Sequence, residues 1–186
     1  MKRIVIFCVL VLCFVFMLST CSTVQKNEVS EVKLVLEMYK KVMLNEMKFH
    51  DKNVGNIYIR DIKNVFPFDV DLDIVEFALV DMDGNGIPEL VLNLDLKIDG
   101  STCVLRYYEN VVYGYEFGFR AMNSLKRNGS FRCSNSAFDS GIGRLQFSGT
   151  NEKTIGVAET VYNAQDDVVW HKFTKENANN LEAFYI

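Results

Sequence analysis

The sequence predicts a single α+β domain, in which an N-terminal amphipathic helix packs on an antiparallel meander sheet and a short helix ends the chain. Three observations predict this class. Apolar residues recur at three- and four-residue steps near the N-terminus, short apolar runs separated by Gly, Asn and Asp fill the middle, and the last dozen residues are again typical of a helix. The 186 residues suffice for one domain of ordinary size.

The N-terminus is typical of a bacterial signal peptide. Lys2 and Arg3 precede an uncharged apolar run, residues 4–18, which is shorter than the roughly 20 residues that a membrane-spanning helix needs. The following stretch LSTC, residues 18–21, resembles a lipobox, the signal in which the cysteine becomes the first mature residue and carries the lipid. The resemblance implies lipidation of Cys21, although Thr20 stands where Gly, Ala or Ser is usual.

We therefore expect a signal peptide over residues 1–20, a tether over 21–30 and the α+β domain over 31–186. Two acyl chains on the cysteine suffice to anchor a secreted protein to the outer face of the bacterial cell membrane. A signal peptide cleaved nearby by the ordinary peptidase, and an uncleaved anchor, are the alternatives. Loss of two basic residues takes the net charge from −4 to −6, and an acidic domain is a poor partner for nucleic acid.

The first element of the domain is an amphipathic helix over residues 28–49. Lys and Glu occupy its polar face, where Glu37 precedes Lys41 by four residues and supports the helix. We expect the apolar stripe to pack on the protein's own sheet, with a partner protein as the alternative. That stripe consists of Val29, Val32, Leu36, Tyr39, Met43 and Met47.

Residues 50–70 predict a connection, with a possible short strand in NIYIRDI, residues 56–62. From residue 74 the pattern favours strands, and Glu109-Asn110 is the predicted turn of a hairpin because Asn tolerates positive φ. Thr174 is the predicted N-cap of the C-terminal helix. The predicted strands are residues 74–80, 90–94, 102–108, 111–120, 130–133, 144–148, 154–162 and 167–173.

The stretch FALVDMDGNGIPELVL, residues 77–92, predicts a metal site between two strands. Oxygen-bearing groups stand at every second position, as in the first nine positions of a calcium loop, and Gly86 allows the sharp turn. Leu92 occupies position 12, where an EF-hand has Glu, and both flanks are typical of strands, which excludes an EF-hand. The expected ligands of a weakly bound, structural calcium are Asp81, Asp83, Asn85, the backbone carbonyl of Ile87, and Glu89. A purely polar turn is the alternative.

This spacing of oxygen-bearing residues resembles the loop of the FG-GAP or VCBS repeat, in which D-x-D-x-[DN]-G-x-x-[DE] joins two strands. The resemblance implies calcium ligation, but one copy does not imply a propeller. The wider pattern is similar to a group of small secreted lipoproteins of Gram-positive anaerobes. Its motifs correspond to residues 78–90, 106–120 and 140–147, and the resemblance implies no particular activity.

Cysteine usage leaves two interpretations open. Cys103 and Cys133 lie in predicted strands and form either a disulfide or two buried thiols. The sequence has no CxxC and no Cys/His cluster, which disfavours zinc.

Residues 111–120 alternate strictly between two sets of side chains. The aromatic set predicts either a core face under the first helix or an exposed platform for sugar or peptide. Gly114 and Gly118 on the reverse face would allow another backbone to approach. The aromatic set is Val111, Tyr113, Tyr115, Phe117 and Phe119.

Enzymatic motifs are absent from the sequence: neither His50 nor His171 accompanies G-x-S-x-G or H-E-x-x-H. We therefore expect a binding or structural module, held at the membrane by its lipid anchor, with an unknown protein or carbohydrate ligand. The alternatives are an extracytoplasmic hydrolase that uses the calcium loop with His50 or His171, and an inhibitor or immunity-type lipoprotein. A pocket that gathers one histidine with Asp or Glu would favour the hydrolase.

Overall fold

A computed structural model describes residues 30–65, 73–95, 101–118, 120–134 and 140–185. Its contacts divide the chain into residues 1–34 and 35–186, and the fold below is that of the second unit. The predicted signal peptide, the lipidated Cys21, most of the tether and Phe119 lie outside the described residues. No helix in the described ranges is long and apolar enough to cross a membrane.

The first helix, α1, covers residues 30–43 and is therefore shorter than predicted. It ends because Asn45 adopts a left-handed conformation, with φ of 60°. The backbone N–H groups of Glu46 and Met47 then both donate to the carbonyl of Lys41, which satisfies the helix terminus. Within α1 the buried side chains are Val35, Leu36, Tyr39, Val42 and Met43.

Ten strands form two sheets in the described part of the chain. The larger sheet has the order β10-β3-β4-β5-β6-β1-β2, and the smaller sheet has the order β7-β8-β9. The strands are β1 (Phe49–Asp51), β2 (Gly55–Ile57), β3 (Asp73–Val80), β4 (Glu89–Asp95), β5 (Ser101–Tyr108), β6 (Val111–Phe117), β7 (Ser130–Ser134), β8 (Ser140–Ser148), β9 (Asn151–Gly156) and β10 (His171–Lys172).

The mixed α/β composition and the mostly antiparallel pairing agree with the predicted class, and β3 to β6 form a meander. One pair departs from it: β1 runs parallel to β6, with His50 opposite Tyr113 and Asp51 opposite Gly114. The region predicted as a connection thus contributes an edge hairpin, β1–β2, followed by a 3₁₀ helix, Ile59–Val65. Strand pairing between distant segments carries no local sequence signal, so the prediction missed it.

Two predicted strands depart furthest from the structure, while β6 ends at Phe117, before the predicted residue 120, and β8 begins at Ser140, before the predicted residue 144. Residues 154–162 divide into the end of β9 and a short helix, α2 (Glu159–Asn163), in which Tyr162 is buried and donates to the carbonyl of Ser124. The apolar residues of this run fit a helical step of four as well as an alternation, so tertiary burial decides. Residues 167–173 contribute only β10, because Val168 bonds to Leu125 of another segment.

Two local predictions are confirmed. Glu109 and Asn110 both have positive φ, 48° and 67°, and join β5 to β6 in a tight hairpin. The side chain of Thr174 accepts the backbone N–H of Asn177 and caps α3 (Lys175–Asn179), which a second 3₁₀ helix, Leu181–Phe184, follows.

A hydrophobic core lies between the two sheets. The aromatic face of β6 contributes to it: Tyr115 contacts Phe147, with 5.3 Å between ring centroids, and Phe117 contacts Phe131 at 6.4 Å. These partners belong to the smaller sheet. The smaller sheet therefore covers Tyr115 and Phe117, and the expectation that the first helix covers them is wrong. The central residues are Ala78, Val80, Met82, Val91, Val104, Met122, Leu125, Phe131, Leu145 and Val168.

Both described cysteines are free thiols, so the disulfide alternative is wrong. Cys103 is buried in β5, and the thiol of Cys133 in β7 lies 3.6 Å from the carbonyl oxygen of Gly141. We predicted that Gly114 would allow another backbone to approach, but it is a side chain that lies against it. The Phe49 ring of β1 packs so closely over it that a Cβ there would lie 2.6 Å from the ring.

Candidate metal centre

The candidate metal centre is the loop that joins β3 to β4. Strand β3 ends at Val80 and β4 begins at Glu89, and these two residues pair with each other in the sheet. Gly84 and Gly86 have φ of 80° and 86°, a conformation that residues with a Cβ rarely adopt. These two glycines let the chain curl within eight residues, and the curl turns the alternate side chains inward.

Asp81 organises the loop through its carboxylate. Its Oδ1 accepts the backbone N–H groups of Gly84 at 2.7 Å and Asn85 at 3.0 Å, and its Oδ2 accepts that of Gly86 at 2.9 Å. A short side chain that accepts several N–H groups of the following turn fixes the loop before any ligand binds.

The other predicted ligands are tied to the same backbone. Asp83 Oδ1 accepts the N–H of Asn85 at 3.2 Å, and Asn85 Oδ1 accepts the N–H of Ile87 at 2.7 Å. Glu89 Oε2 accepts the N–H of Met82 at 2.8 Å across the base of the loop. The carboxylate of Asp81 therefore holds the first part of the loop, and the carboxylate of Glu89 joins the end of the loop back to its beginning.

Carboxylate oxygens of Asp81, Asp83 and Glu89 lie within 4.8 Å of one another, so this group could hold a metal ion. The structure thus brings together three of the five predicted ligands through their carboxylates. Asn85 lies in the same loop, and its amide oxygen retains a second lone pair for a cation. Ligation by Asn85 and by the Ile87 carbonyl stays a prediction.

The electrostatics of the centre favour a cation. Burial, together with the neighbouring charges of Asp83 and Asp81, raises the pKa of Glu89 to about 8, against the lowering effects of the Met82 N–H and of Arg106. Burial likewise raises the pKa of Asp83. Crowded carboxylates that resist ionisation are stabilised by a nearby positive charge.

Two arginines from distant strands reach the centre, and sequence reasoning missed both. Arg106 of β5 places its Nε 3.8 Å from Glu89 Oε1 and donates from Nη1 to the carbonyl of Gly149 at 2.7 Å. Arg144 of β8 donates from Nη2 to the carbonyl of Asp83 at 2.7 Å. Both arginines link the metal loop to the smaller sheet. Because they are distant from the loop in sequence, their contacts with it could not be predicted from the local pattern.

Three further residues hold the loop from outside. Tyr39 of α1 donates to the carbonyl of Pro88 and accepts the N–H of Tyr107, at 3.1 Å each. Tyr185 donates to the carbonyl of Gly86 at 3.2 Å. Gly129 lies against the loop backbone, where a Cβ would come 2.8 Å from the carbonyl oxygen of Asp81.

A cleft of ≈ 260 Å³ beside the loop is lined by both Asp81 and His171, which is the arrangement expected of the hydrolase alternative. The His171 ring contacts the Phe184 ring at 4.3 Å between centroids. Among the residues that the structure describes, no serine, threonine or cysteine lines this cleft. His50 lies elsewhere, with its Nδ1 3.0 Å from Asn56 Oδ1 and its ring against Tyr113.

Comparisons of the chain with protein families, curated proteins and solved structures find no match.

Proposed function

We propose that the protein is a cell-surface lipoprotein whose domain is a calcium-stabilised binding or structural module. The gathering of Asp81, Asp83 and Glu89 within 4.8 Å carries the proposal. All candidate donors are oxygens, which suit a hard cation, and calcium accepts irregular loops that magnesium does not. The ligand of the module would be a protein or a carbohydrate.

Calcium would serve as a structural ion in this proposal. The carboxylates of the three acidic residues would hold it, with the side chain of Asn85 and the carbonyl of Ile87 completing the set. Because Leu92 replaces the bidentate Glu of an EF-hand, we expect a dissociation constant of about 10⁻⁴ to 10⁻³ M, as in extracellular modules. The bound charge would favour the ionised form of the buried Glu89.

We also infer that α1 covers one face of the larger sheet. The two hydrogen bonds of the Tyr39 hydroxyl, to Pro88 and Tyr107, support this packing, since they join the helix to the ends of β4 and β5. The helix would then support the metal loop and leave no apolar stripe for a partner.

Thermal unfolding with and without calcium tests the proposal. At 10 mM calcium, binding at about 1 mM adds roughly 1.4 kcal/mol, which raises the Tm of the full-length chain in mild detergent by about 3–5 °C. Asp83→Ala should abolish this gain, whereas Asp61→Ala, which removes an exposed carboxylate of the first 3₁₀ helix, should keep it. Absence of any calcium-dependent shift at millimolar ion contradicts the metal proposal.

Membrane anchoring is tested separately. Cys21→Ser should release the protein from bacterial membranes into the soluble fraction, because the acyl chains have no other attachment point. Fractionation followed by immunoblotting measures the release. Unchanged membrane association would indicate an uncleaved anchor in place of the lipid.

An extracytoplasmic hydrolase is the second candidate, because one cleft brings His171 and Asp81 together. Two observations count against it: both carboxylate oxygens of Asp81 already accept backbone N–H groups, and no described serine, threonine or cysteine lines the cleft. Hydrolysis of ester or peptide substrates that disappears in His171→Ala, with an unchanged Tm, would favour this candidate.

A further inference from the structure

A second acidic pair lies away from the metal loop, at the junction of β1 and β6. Asp51, the last residue of β1, has only 1 % of its surface exposed. Its Oδ1 accepts the backbone N–H groups of Asn53 at 2.8 Å and Val54 at 3.0 Å. Its Oδ2 is buried and has no hydrogen-bond donor among the described residues. A buried carboxylate oxygen without a donor is unfavourable, so this atom calls for a partner.

The nearest carboxyl along the neighbouring strand is that of Glu116. Asp51 pairs with Gly114 across the parallel β1–β6 junction, and Glu116 follows two residues later on the same face. Asn53 joins the two carboxyls: its backbone N–H donates to Asp51 Oδ1, and its side-chain amide donates to Glu116 Oε1 at 3.3 Å. A hydrogen bond with Asp51 is also among the causes that raise the pKa of Glu116. Two ionised carboxylates have no proton to donate, so this hydrogen bond forms only when one of the pair is protonated.

We propose that Asp51 and Glu116 share one proton, and that this proton makes the attachment of the β1–β2 hairpin to β6 dependent on pH. The proton gives the buried Oδ2 of Asp51 its missing donor. A carboxylic acid hydrogen-bonded to a carboxylate is among the stronger hydrogen bonds in proteins. The junction depends on such support because β1 pairs with β6 at only two positions.

The environment of the pair keeps the proton in place. Burial, followed by the hydrogen bond and the charge of Asp51, raises the pKa of Glu116 to about 7. Opposing this, the side-chain amide of Asn53 donates to Glu116 Oε1 at 3.3 Å, and Lys52 lies nearby. These two groups favour the ionised form without cancelling the effect of burial.

The other groups near the pair contribute little charge. Cys103 of β5 stands opposite Glu116, and burial together with the two carboxylates raises the pKa of its thiol, which therefore stays neutral. Lys52 forms an ion pair with Glu152 of β9. His50 is directed to Asn56 and Tyr113 instead.

A proton fits this junction better than a metal ion. Calcium takes six to eight oxygens, whereas Asp51 Oδ1 is already engaged by two N–H groups. Within the described ranges, the only group of three or more potential acidic, histidine or cysteine ligands is the metal loop. The proposal is therefore independent of the calcium proposed for that loop.

The direction of the pH effect follows from the raised pKa. The folded state keeps a proton that the unfolded chain releases above the ordinary Glu value of 4.5. Stability from this pair is therefore fully present below pH 4.5, is lost as the pH rises towards about 7, and is constant above that. The hairpin at the edge of the sheet should loosen over the same window.

Carboxyl ¹³C NMR of the full-length chain measures the titration directly. We expect Glu116 to titrate with a midpoint near 7. A midpoint near the ordinary value of 4.5 for Glu116 overturns the proposal. This measurement needs no variant and does not depend on the metal loop.

Glu116→Gln provides the second measurement, because its amide can donate permanently to Asp51 Oδ2. We expect the Tm at pH 8 to rise by about 3 °C over wild type and the difference to vanish near pH 4.5. Glu46→Gln, at an exposed position after the end of α1, should show no such pH-dependent difference. Since Glu89 is present in both proteins, its titration cancels in the comparison.

Two outcomes overturn the proposal here. One is an unchanged or lowered Tm of Glu116→Gln at pH 8. The other is a calcium-dependent rise in the Tm of Asp83→Ala at pH 8 that disappears when Glu116→Gln is added, because the pair would then hold a cation. By contrast, failure of calcium to stabilise wild type contradicts only the proposed metal loop.

Discussion

The metal loop at residues 81–89 and the acid pair of Asp51 and Glu116 both crowd carboxylates into the same sheet, yet the chain builds them differently. The loop is one continuous segment whose backbone N–H groups surround its acids. The pair joins two strands that are distant in sequence, and Asp51 Oδ2 has no donor within the described part of the chain. Three clustered carboxylates with many oxygens suit a cation, whereas two carboxylates in contact suit a proton.

The comparison shows how crowding of like charges is relieved at two scales. In the loop, spacing along the chain presents several oxygens to one point, and a divalent ion is the natural counter-charge. At the strand junction, only two side chains meet, and neutralising one of them removes the repulsion. The following predictions separate the two clusters, from the largest expected effect to the smallest.

Gly129→Ala should damage the metal loop alone. Gly129 has φ of 78°, and a Cβ would lie 2.7 Å from Met82 Cα and 2.8 Å from the Asp81 carbonyl oxygen, so the loop backbone must move. We expect a loss of about 3 kcal/mol in the free energy of unfolding. Thermal and denaturant unfolding should also show that the calcium gain is lost, while the pH effect of Glu116→Gln persists.

Gly149→Ala is the matched control for that loss. Gly149 also has positive φ, 60°, but no atom lies within 4 Å of its added Cβ. Only backbone strain remains, at about 1 kcal/mol, and the calcium gain should be preserved. Equal losses of unfolding free energy in the two variants, or a normal calcium response in Gly129→Ala, would show that contact with the metal loop does not account for the effect of Gly129→Ala.

Glu89→Gln should stabilise the protein when calcium is absent and remove its response to calcium. Because the folded pKa of Glu89 is about 8, wild type loses stability as the pH rises from 4.5 towards 8. Gln keeps an acceptor for the Met82 N–H without a charge, so the variant should exceed wild type by about 2 kcal/mol at pH 8.

Denaturant unfolding in chelator between about pH 3.5 and 8 measures this difference. The two proteins should converge below pH 4.5, the ordinary Glu value, where Glu89 is protonated in both the folded and unfolded states. A variant with the wild-type pH dependence, or one that calcium still stabilises, would show that Glu89 does not belong to the metal centre.

Lys52→Gln should have the smallest effect, and that effect should be limited to the titration of the acid pair. Its side chain is 56 % exposed and paired with Glu152, so solvent screens its influence on Glu116. We expect the NMR midpoint of Glu116 to rise by about 0.3 units and the calcium response to stay unchanged. A rise above one unit would mean that Lys52, and not the shared proton, controls the titration.

The features predicted correctly from the sequence are those with local causes. The loop from Asp81 to Glu89, the turn at Glu109-Asn110 and the cap at Thr174 each depend on side chains bonding to, or positive φ within, their own few residues. Spacing in the chain is then nearly the same as spacing in space. The candidate metal centre was found for this reason, and its two arginines, Arg106 and Arg144, were not.

Errors arose where a local pattern fits two structures. The run from residue 154 to 162 is compatible with both a strand and a helix, and burial of Tyr162 beside Ser124 selects the helix at its end. Alternation in β6 identified an aromatic face but could not say what covers it. Phe131 and Phe147 of the smaller sheet do so.

By itself, the sequence determined an α+β chain with an acidic loop between two strands, because periodicity and turn residues act over a few positions. Only the tertiary structure decided that the strands form two sheets, that β1 joins β6 in parallel, and that Asp51 meets Glu116. Such contacts depend on burial of surfaces from distant segments, and no single segment records which partner it will meet.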